Sequence, residues 1–334
     1  MTRMTARLCR MMLAACAVCA LWLLAAGAAR ANSCTATMTD IDFGRVNPMA
    51  ATDAVGVGTL TVNCVWTLGA NPLLLPVANV CVNLGVGPGG GTGNPRYLLN
   101  GANRLGFNLY TDLTYSAAAI WGGAGSTIGA KPVTGAIVGL LGLGGASASV
   151  NIFGKIPAAA LAGVPTVGNA DTVYTASFAG HGTLQYGFGS VPCTAGTTVA
   201  FAFQTRATAT NNCVIGTSNL TFGSGSPLSA LRASAPLSVA CTANSAYQIS
   251  LNGGASNNPA ARTMKNIVTG ETVGYRISST LDGPVWGDGS GGTVVYSGTG
   301  NGASQNVMMY GVVPRQTAPT PGDYRDTVTV LLSF

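Results

Sequence analysis

Sixteen lysines and arginines and ten aspartates and glutamates make up 8% of the 334 residues, against about 25% in an ordinary soluble domain, so a function carried by surface charge is excluded. One histidine, His181, and one glutamate, Glu271, leave little material for acid–base catalysis. The net charge of +6 is concentrated at the front, since Arg3, Arg7, Arg10 and Arg30 fall in the first 31 residues, and the remainder has no basic stripe for nucleic acid.

Those first residues read as an address. Arg3, Arg7 and Arg10 precede an uncharged run, Met11–Ala29, and Ala29-Arg30-Ala31 is a small-x-small cleavage pattern, so residues 1–31 are predicted to be a secretory signal peptide. An uncleaved membrane anchor is the alternative. Cys9, Cys16 and Cys19 leave with the signal, and Cys34, Cys64, Cys81, Cys193, Cys213 and Cys241 remain. Six cysteines with a single histidine in an exported chain point to disulfides and not to a metal site. No cofactor is expected.

From Cys34 onward the chain is a repeat. Phe43-Gly44 stands nine and ten residues after Cys34, and Phe222-Gly223 stands at the same offsets after Cys213. Leu60-Thr61-Val62-Asn63-Cys64 matches Leu237-Ser238-Val239-Ala240-Cys241. Arg96, Gly106-Phe107-Asn108-Leu109-Tyr110 and Trp121-Gly122 match Arg262, Gly274-Tyr275-Arg276-Ile277 and Trp286-Gly287. Val150 to Pro157 and Asp171-Thr172-Val173 match Val307 to Pro314 and Asp326-Thr327-Val328. The first module spans residues 32–205, the polar stretch 206–211 is a linker, and the second module spans residues 212–334.

Short alternating runs such as Thr327-Val328-Thr329-Val330, broken by Gly, Pro, Asn and Ser, read as strands and turns. The fold class is all-β, two tandem immunoglobulin-like β-sandwich domains. The repeat pairs Cys34 with Cys64 and Cys213 with Cys241. Cys81 and Cys193 are left for each other, closing a loop worth about 2 to 5 kcal/mol.

The first module also carries apolar runs between strand breakers: Pro72 to Val77, Ala117 to Trp121 and Ala136 to Leu143. Apolar loops mark contact, which makes Leu73, Leu74, Leu75, Val77, Ile120, Ile137, Val138, Leu140, Leu141 and Leu143 candidates for a surface-binding site. Leu73 to Val77 reads equally as a core strand, and Trp121 reads as core because it matches Trp286. The Gly-x-Gly-x-x-Gly pattern at Gly85–Gly90 contains Pro88 and precedes no helix, so it is a loop and not a nucleotide site. His181, beside glycines, reads as a turn residue.

The modules differ at their ends. After its Asp171 strand the first module continues through Cys193 into the alternating Thr197 to Thr205 run, which can close a sandwich edge, while the second is expected to stop without one. Val328, Val330, Leu332 and Phe334 then line one face of an uncovered final strand. Such an edge invites a strand from another chain.

The second module resembles the spore coat protein U domain, the pilin type of archaic chaperone-usher pili. The resemblance rests on Cys213, Phe222-Gly223, Cys241, Arg262, Trp286-Gly287-Asp288-Gly289, Tyr310-Gly311, Pro314 and Gly322 to Val328. It implies a periplasmic pilus chaperone, an outer-membrane usher and an adjacent pilin subunit that donates its N-terminal strand, with Val328, Val330, Leu332 and Phe334 as the acceptor and chaperone contact. With only Asn32 and Ser33 expected ahead of Cys34, the chain would have no strand to donate and would sit at the pilus tip on the cell surface. The resemblance then implies a tip adhesin that binds hydrophobic, abiotic or host surfaces and promotes biofilm. A sugar-binding tip lectin using Tyr97, Tyr110 and Tyr115, and a secreted structural spore-coat-type subunit, are the alternatives. An outer-membrane barrel and a secreted enzyme fit the composition less well.

Overall fold

The computed structural model describes residues 32–66, 76–91, 94–123, 131–140 and 144–334; the leader read over residues 1–31 lies outside them. Strand alternation dominates. In the longest ladder Leu60, Val62 and Cys64 point inward while Thr61 and Asn63 face out, the period of two that a half-buried strand demands.

The first sandwich contains β1 (Ser33–Met38), β2 (Ile41–Val46), β3 (Ala54–Val65), β4 (Val77–Leu84), β5 (Arg96–Asn100), β6 (Asn103–Tyr110), β7 (Val133–Val138), β8 (Gly145–Ile156), β9 (Thr172–Ser177), β10 (Gly182–Phe188), β11 (Thr197–Phe201) and β12 (Gln204–Ala209). An eight-stranded sheet, ordered β1-β3-β8-β6-β5-β9-β12-β2, faces a four-stranded one, β11-β10-β4-β7. The second sandwich contains β13 (Cys213–Gly216), β14 (Leu231–Cys241), β15 (Ala246–Leu251), β16 (Arg262–Asn266), β17 (Thr272–Ser278), β18 (Tyr296–Thr299), β19 (Ser304–Val313), β20 (Tyr324–Arg325) and β21 (Val330–Ser333). Its sheets are ordered β13-β14-β19-β17-β16-β20 and β18-β15-β21. Each sandwich closes on its own apolar core.

The disulfides sit on this frame. Cys34 is the register partner of Cys64, and Cys213 of Cys241, and both pairs are bonded. A third bond joins Cys81 on β4 to Cys193 ahead of β11.

One polar device recurs in both cores. Trp121 donates its indole N–H to Val82 O at 3.0 Å, and Trp286 donates to Ile249 O at 2.8 Å. Beside each lies a buried arginine. Arg96 donates to Gly85 O at 3.1 Å, Asn108 Oδ1 at 2.5 Å and Trp121 O at 2.6 Å, and desolvation pulls its pKa down to about 10. Arg262 donates to Asn252 O at 2.8 Å and Leu251 O at 3.0 Å. These bonds make Val82 equivalent to Ile249, and Gly85 to Asn252.

That register corrects two sequence readings. Arg206–Ala209, read as part of a linker, belongs to β12, where Ala207 opposite Tyr174 and Ala209 opposite Thr172 are fully buried. Asp171 and Asp326 are also not structural equivalents. Leu99 and Lys265 stand three residues after the paired arginines, and their partners are Thr175 and Arg325. Asp171 therefore precedes its strand, where it accepts from Asn211 N and pairs with Arg45. Asp326 follows its strand and accepts from Tyr275 Oη at 2.5 Å and Ala255 N at 2.8 Å. In the second sandwich the chain crosses to the other sheet directly after Arg325, whereas β9 runs on beside β12.

Candidate functional site

The two sandwiches differ most at one edge. In the first, β10 lies between β4 and β11, and β9 lies between β5 and β12. In the second, β21 pairs with β15 and β20 with β16, and among the described residues no strand lies on the far side of either. Register makes Val330 equivalent to Gly182 and Leu332 to Leu184, because their β15 and β4 partners are Leu251 and Leu84, then Ile249 and Val82.

Side-chain burial follows the same difference. Leu184 and Tyr186 are buried beneath the strand that closes the first core, which brings in Phe201 and Phe203. Val328, Val330 and Leu332 face the second core but remain half-buried, and Phe334 is 48% exposed. Leu220, Phe222, Met264 and Tyr324 are half-buried around the same core. The arrangement is a strip of half-buried apolar side chains along two edge strands, which an extended chain can cover. Tyr275, whose hydroxyl is held by Asp326, has its pKa raised by burial and by that hydrogen bond.

The second candidate region lies in the first sandwich. In the second sandwich the β14–β15 and β18–β19 turns abut the first sandwich: Thr166 N donates to Ala243 O at 2.9 Å, and Asn169 bonds both backbone groups of Ala246. The corresponding connections of the first sandwich, β3–β4 and β7–β8, are longer in sequence, and of them residues 66, 76, 139, 140 and 144 are described. There Gly139 N donates to Pro76 O at 2.8 Å, tying the two connections together. Val65, Val138 and Leu140 are exposed beside them, Leu140 to 68%.

The candidate binding residues thus separate. Val138 and Leu140 reach solvent and Val77 is half-buried. Leu73, Leu74, Leu75, Leu141 and Leu143 lie outside the described residues. Ile120 and Ile137 are corrections: at 2% and 4% exposure they are core. Val133–Val138 is a strand paired to β4 despite Gly135, so Ile137 turns inward while Val138 turns out; Ile120 packs with Tyr110 and Ala119.

Trp121 is buried, and His181 occupies a turn where its carbonyl accepts from Gly85 N. Tyr110 and Tyr115 contact each other edge-on at 5.2 Å, while Tyr97 lies under Arg104. Among the described residues no three His, Cys, Asp or Glu side chains come together as a metal site. The sequence marks Arg96 and Arg262 as members of the repeat, and Arg262 as part of the family resemblance, without placing either in the core; an arginine kept in both copies of a charge-poor chain is the signal that it is built in.

A family model described as Spore Coat Protein U domain matches residues 20–176 and 197–331. No curated protein sequence matches the chain. Among solved structures, the chain is similar to the CsuC–CsuE chaperone–tip adhesion subunit pre-assembly complex from archaic chaperone-usher Csu pili of Acinetobacter baumannii, at 14% identity and a TM-score of 0.47, covering 90% of this chain and 100% of that one. Weaker similarities are to the C-terminal domain of the AgI/II polypeptide BspA of Streptococcus agalactiae (8% identity, TM-score 0.21, covering 89% and 96%) and to CBD12 from CALX1.2 (6%, 0.19, covering 88% and 79%).

Proposed function

Because this chain belongs to the Spore Coat Protein U domain family, we propose that it is a subunit of a chaperone-usher pilus whose second sandwich is completed by a strand from another chain. The observation that carries this reading is the half-burial of Val330 and Leu332 on β21, set against the full burial of Leu184 under β11. A strand laid along β21 would pair its free backbone groups and cover those side chains, with main-chain bonds supplying affinity and inward side chains supplying selectivity. A periplasmic chaperone lends that strand first, and a neighbouring pilin replaces it at the outer-membrane usher.

The first sandwich, which carries its own closing strands, forms the outer end of such a subunit. Its apolar far end around Val138 and Leu140 is the surface-binding region of a tip adhesin that attaches cells to hydrophobic surfaces and supports biofilm. Many pili acting together multiply a weak contact through avidity.

The full chain, exported to the periplasm with and without its cognate chaperone, tests the strand-acceptor reading. Soluble protein is expected only with the chaperone, and the amides of Val330 and Leu332, which face away from β15, should exchange slowly only in the complex. Soluble, monomeric protein whose Val330 and Leu332 amides are protected in the absence of any partner would overturn it.

A further inference from the structure

The strand that closes the first sandwich is a template for the one the second receives, and the two cores differ in size at one position along it. On β11, Phe201 stands opposite Gly182 and Val199 opposite Leu184. A Cβ on Gly182 would come within 2.9 Å of the Phe201 ring and 2.8 Å of its carbonyl oxygen. Phe201 therefore takes the space that a side chain at position 182 would need. Its ring also lies 6.3 Å from that of Trp121, with the planes 13° apart.

In the second sandwich the equivalent positions carry larger side chains. Val330 replaces Gly182 opposite the same leucine position, Leu251 for Leu84. Tyr296 replaces Val133, since Tyr296 faces Ile249 as Val133 faces Val82. The Tyr296 ring lies 5.7 Å from that of Trp286. A side chain thus stands on β21 where the first sandwich leaves room for the ring of its closing strand.

Resting on the strand-acceptor reading above, we propose that the strand completing the second sandwich carries glycine or alanine opposite Val330, and that Val330 rejects a strand with an aromatic residue there. Main-chain pairing is indifferent to side chains, so discrimination between strands has to come from such a clash. The closing strand of the first sandwich, with Phe201, belongs to the rejected class. Two copies of this chain therefore do not close one another through that strand.

The test grafts that strand in place. The full chain is extended after Phe334 by a copy of residues 187–209 carrying Cys193→Ser, with either the native Phe or a Gly at the position of Phe201. Each graft is made with Val330 and with Val330→Gly, and Val330→Ala serves as a second variant because glycine itself weakens strands. Hydrogen exchange is read at the amides of Val330 and Leu332, the two that face away from β15. With Val330 in place, the glycine graft should protect these amides at least about tenfold better than the phenylalanine graft, in line with the usual cost of overpacking; Val330→Gly should erase or reverse the preference. Equal protection by both grafts on Val330 would overturn the size gate and leave the open edge standing. No protection by either graft in any version would overturn the open-edge reading and the gate with it.

Discussion

Asn169 and Ala246 exchange two hydrogen bonds across the junction of the sandwiches: Asn169 Nδ2 donates to Ala246 O at 3.0 Å, and Ala246 N donates to Asn169 Oδ1 at 2.6 Å. The side-chain amide stands in for a neighbouring strand and satisfies the first residue of β15. Asparagine suits the place because its backbone is left-handed, at φ 56°, a region it tolerates better than most residues. Asn169→Gly keeps that backbone and removes the amide. The Ala246 amide should then exchange about tenfold faster, the worth of one hydrogen bond, while both sandwiches stay folded. Unchanged exchange would mean that the junction is held elsewhere, for example at Thr166 and Ala243.

Tyr174 makes the first sandwich sensitive to alkali. Its hydroxyl donates to Pro165 O at 2.6 Å inside the core, and burial pushes its pKa up to about 12. The folded state thus favours the neutral phenol over the unfolded chain, in which tyrosine titrates near pH 10. A raised pKa contributes stability that is complete below about pH 10 and disappears as pH rises through about 12, roughly 2 to 3 kcal/mol in all. Tyr174→Phe should flatten the stability profile of the first sandwich between pH 10 and 12, as read by denaturant unfolding at a series of pH values. A profile as steep as that of the native protein would show that another group carries the alkaline loss.

How far these features could be read from the sequence depends on which interactions leave a local trace. Strand alternation and the matched cysteines leave one, so the two sandwiches and the bonded pairs follow from residues such as Leu60, Val62 and Cys64. The unequal ends of the repeat pointed to the uncovered face of Val328, Val330 and Leu332. Register leaves no such trace. Asp171 and Asp326 share an Asp-Thr-Val string yet stand at opposite ends of their strands, because the crossing between sheets falls at a different place in each copy. Burial at sheet edges is equally silent: Ile137 and Val138 are neighbours in an apolar run, and only pairing with β4 turns one inward and the other out. The polar Arg206-Ala207-Thr208-Ala209 run resembled a linker because alanine is too small to announce the core it fills beside Tyr174.

Arg96 and Arg262 hold equivalent places and should differ in weight. Arg96 satisfies Gly85 O, Asn108 Oδ1 and Trp121 O, whereas Arg262 Nη1 has no partner and only two carbonyl oxygens accept from the rest of that side chain. Replacing either by Met strands buried acceptors at about 1 to 3 kcal/mol each. Arg96→Met should therefore destabilise its sandwich more than Arg262→Met does the other, by about the value of one such bond. Denaturant unfolding of the full chain reports each core separately once the other core's tryptophans are removed, Trp66→Phe with Trp121→Phe to follow the second sandwich and Trp286→Phe to follow the first. An equal or larger loss for Arg262→Met would show that its free nitrogen is satisfied in solution.

At the far end of the first sandwich, Val138 and Leu140 can be changed without touching the core. Both are exposed, while Trp66 beneath them is buried and Gly139 lies so close to the Trp66 ring and Pro76 that any side chain there would clash. That packing holds the root of the β7–β8 connection and leaves Val138 and Leu140 to meet a surface. Burying one such aliphatic side chain is worth about 1.5 to 3 kcal/mol, enough for about a tenfold change in a single contact. Val138→Asp with Leu140→Asp should leave the unfolding midpoint within about 0.5 kcal/mol of native and lower attachment of assembled pili to polystyrene about tenfold or more. Gly139→Ala should also weaken attachment, by displacing the connection with no change in its apolar character. Native attachment by the double variant, with pili assembled in normal number, would remove this end of the molecule from the binding site and turn attention to a polar receptor, for which a glycan array is the direct assay.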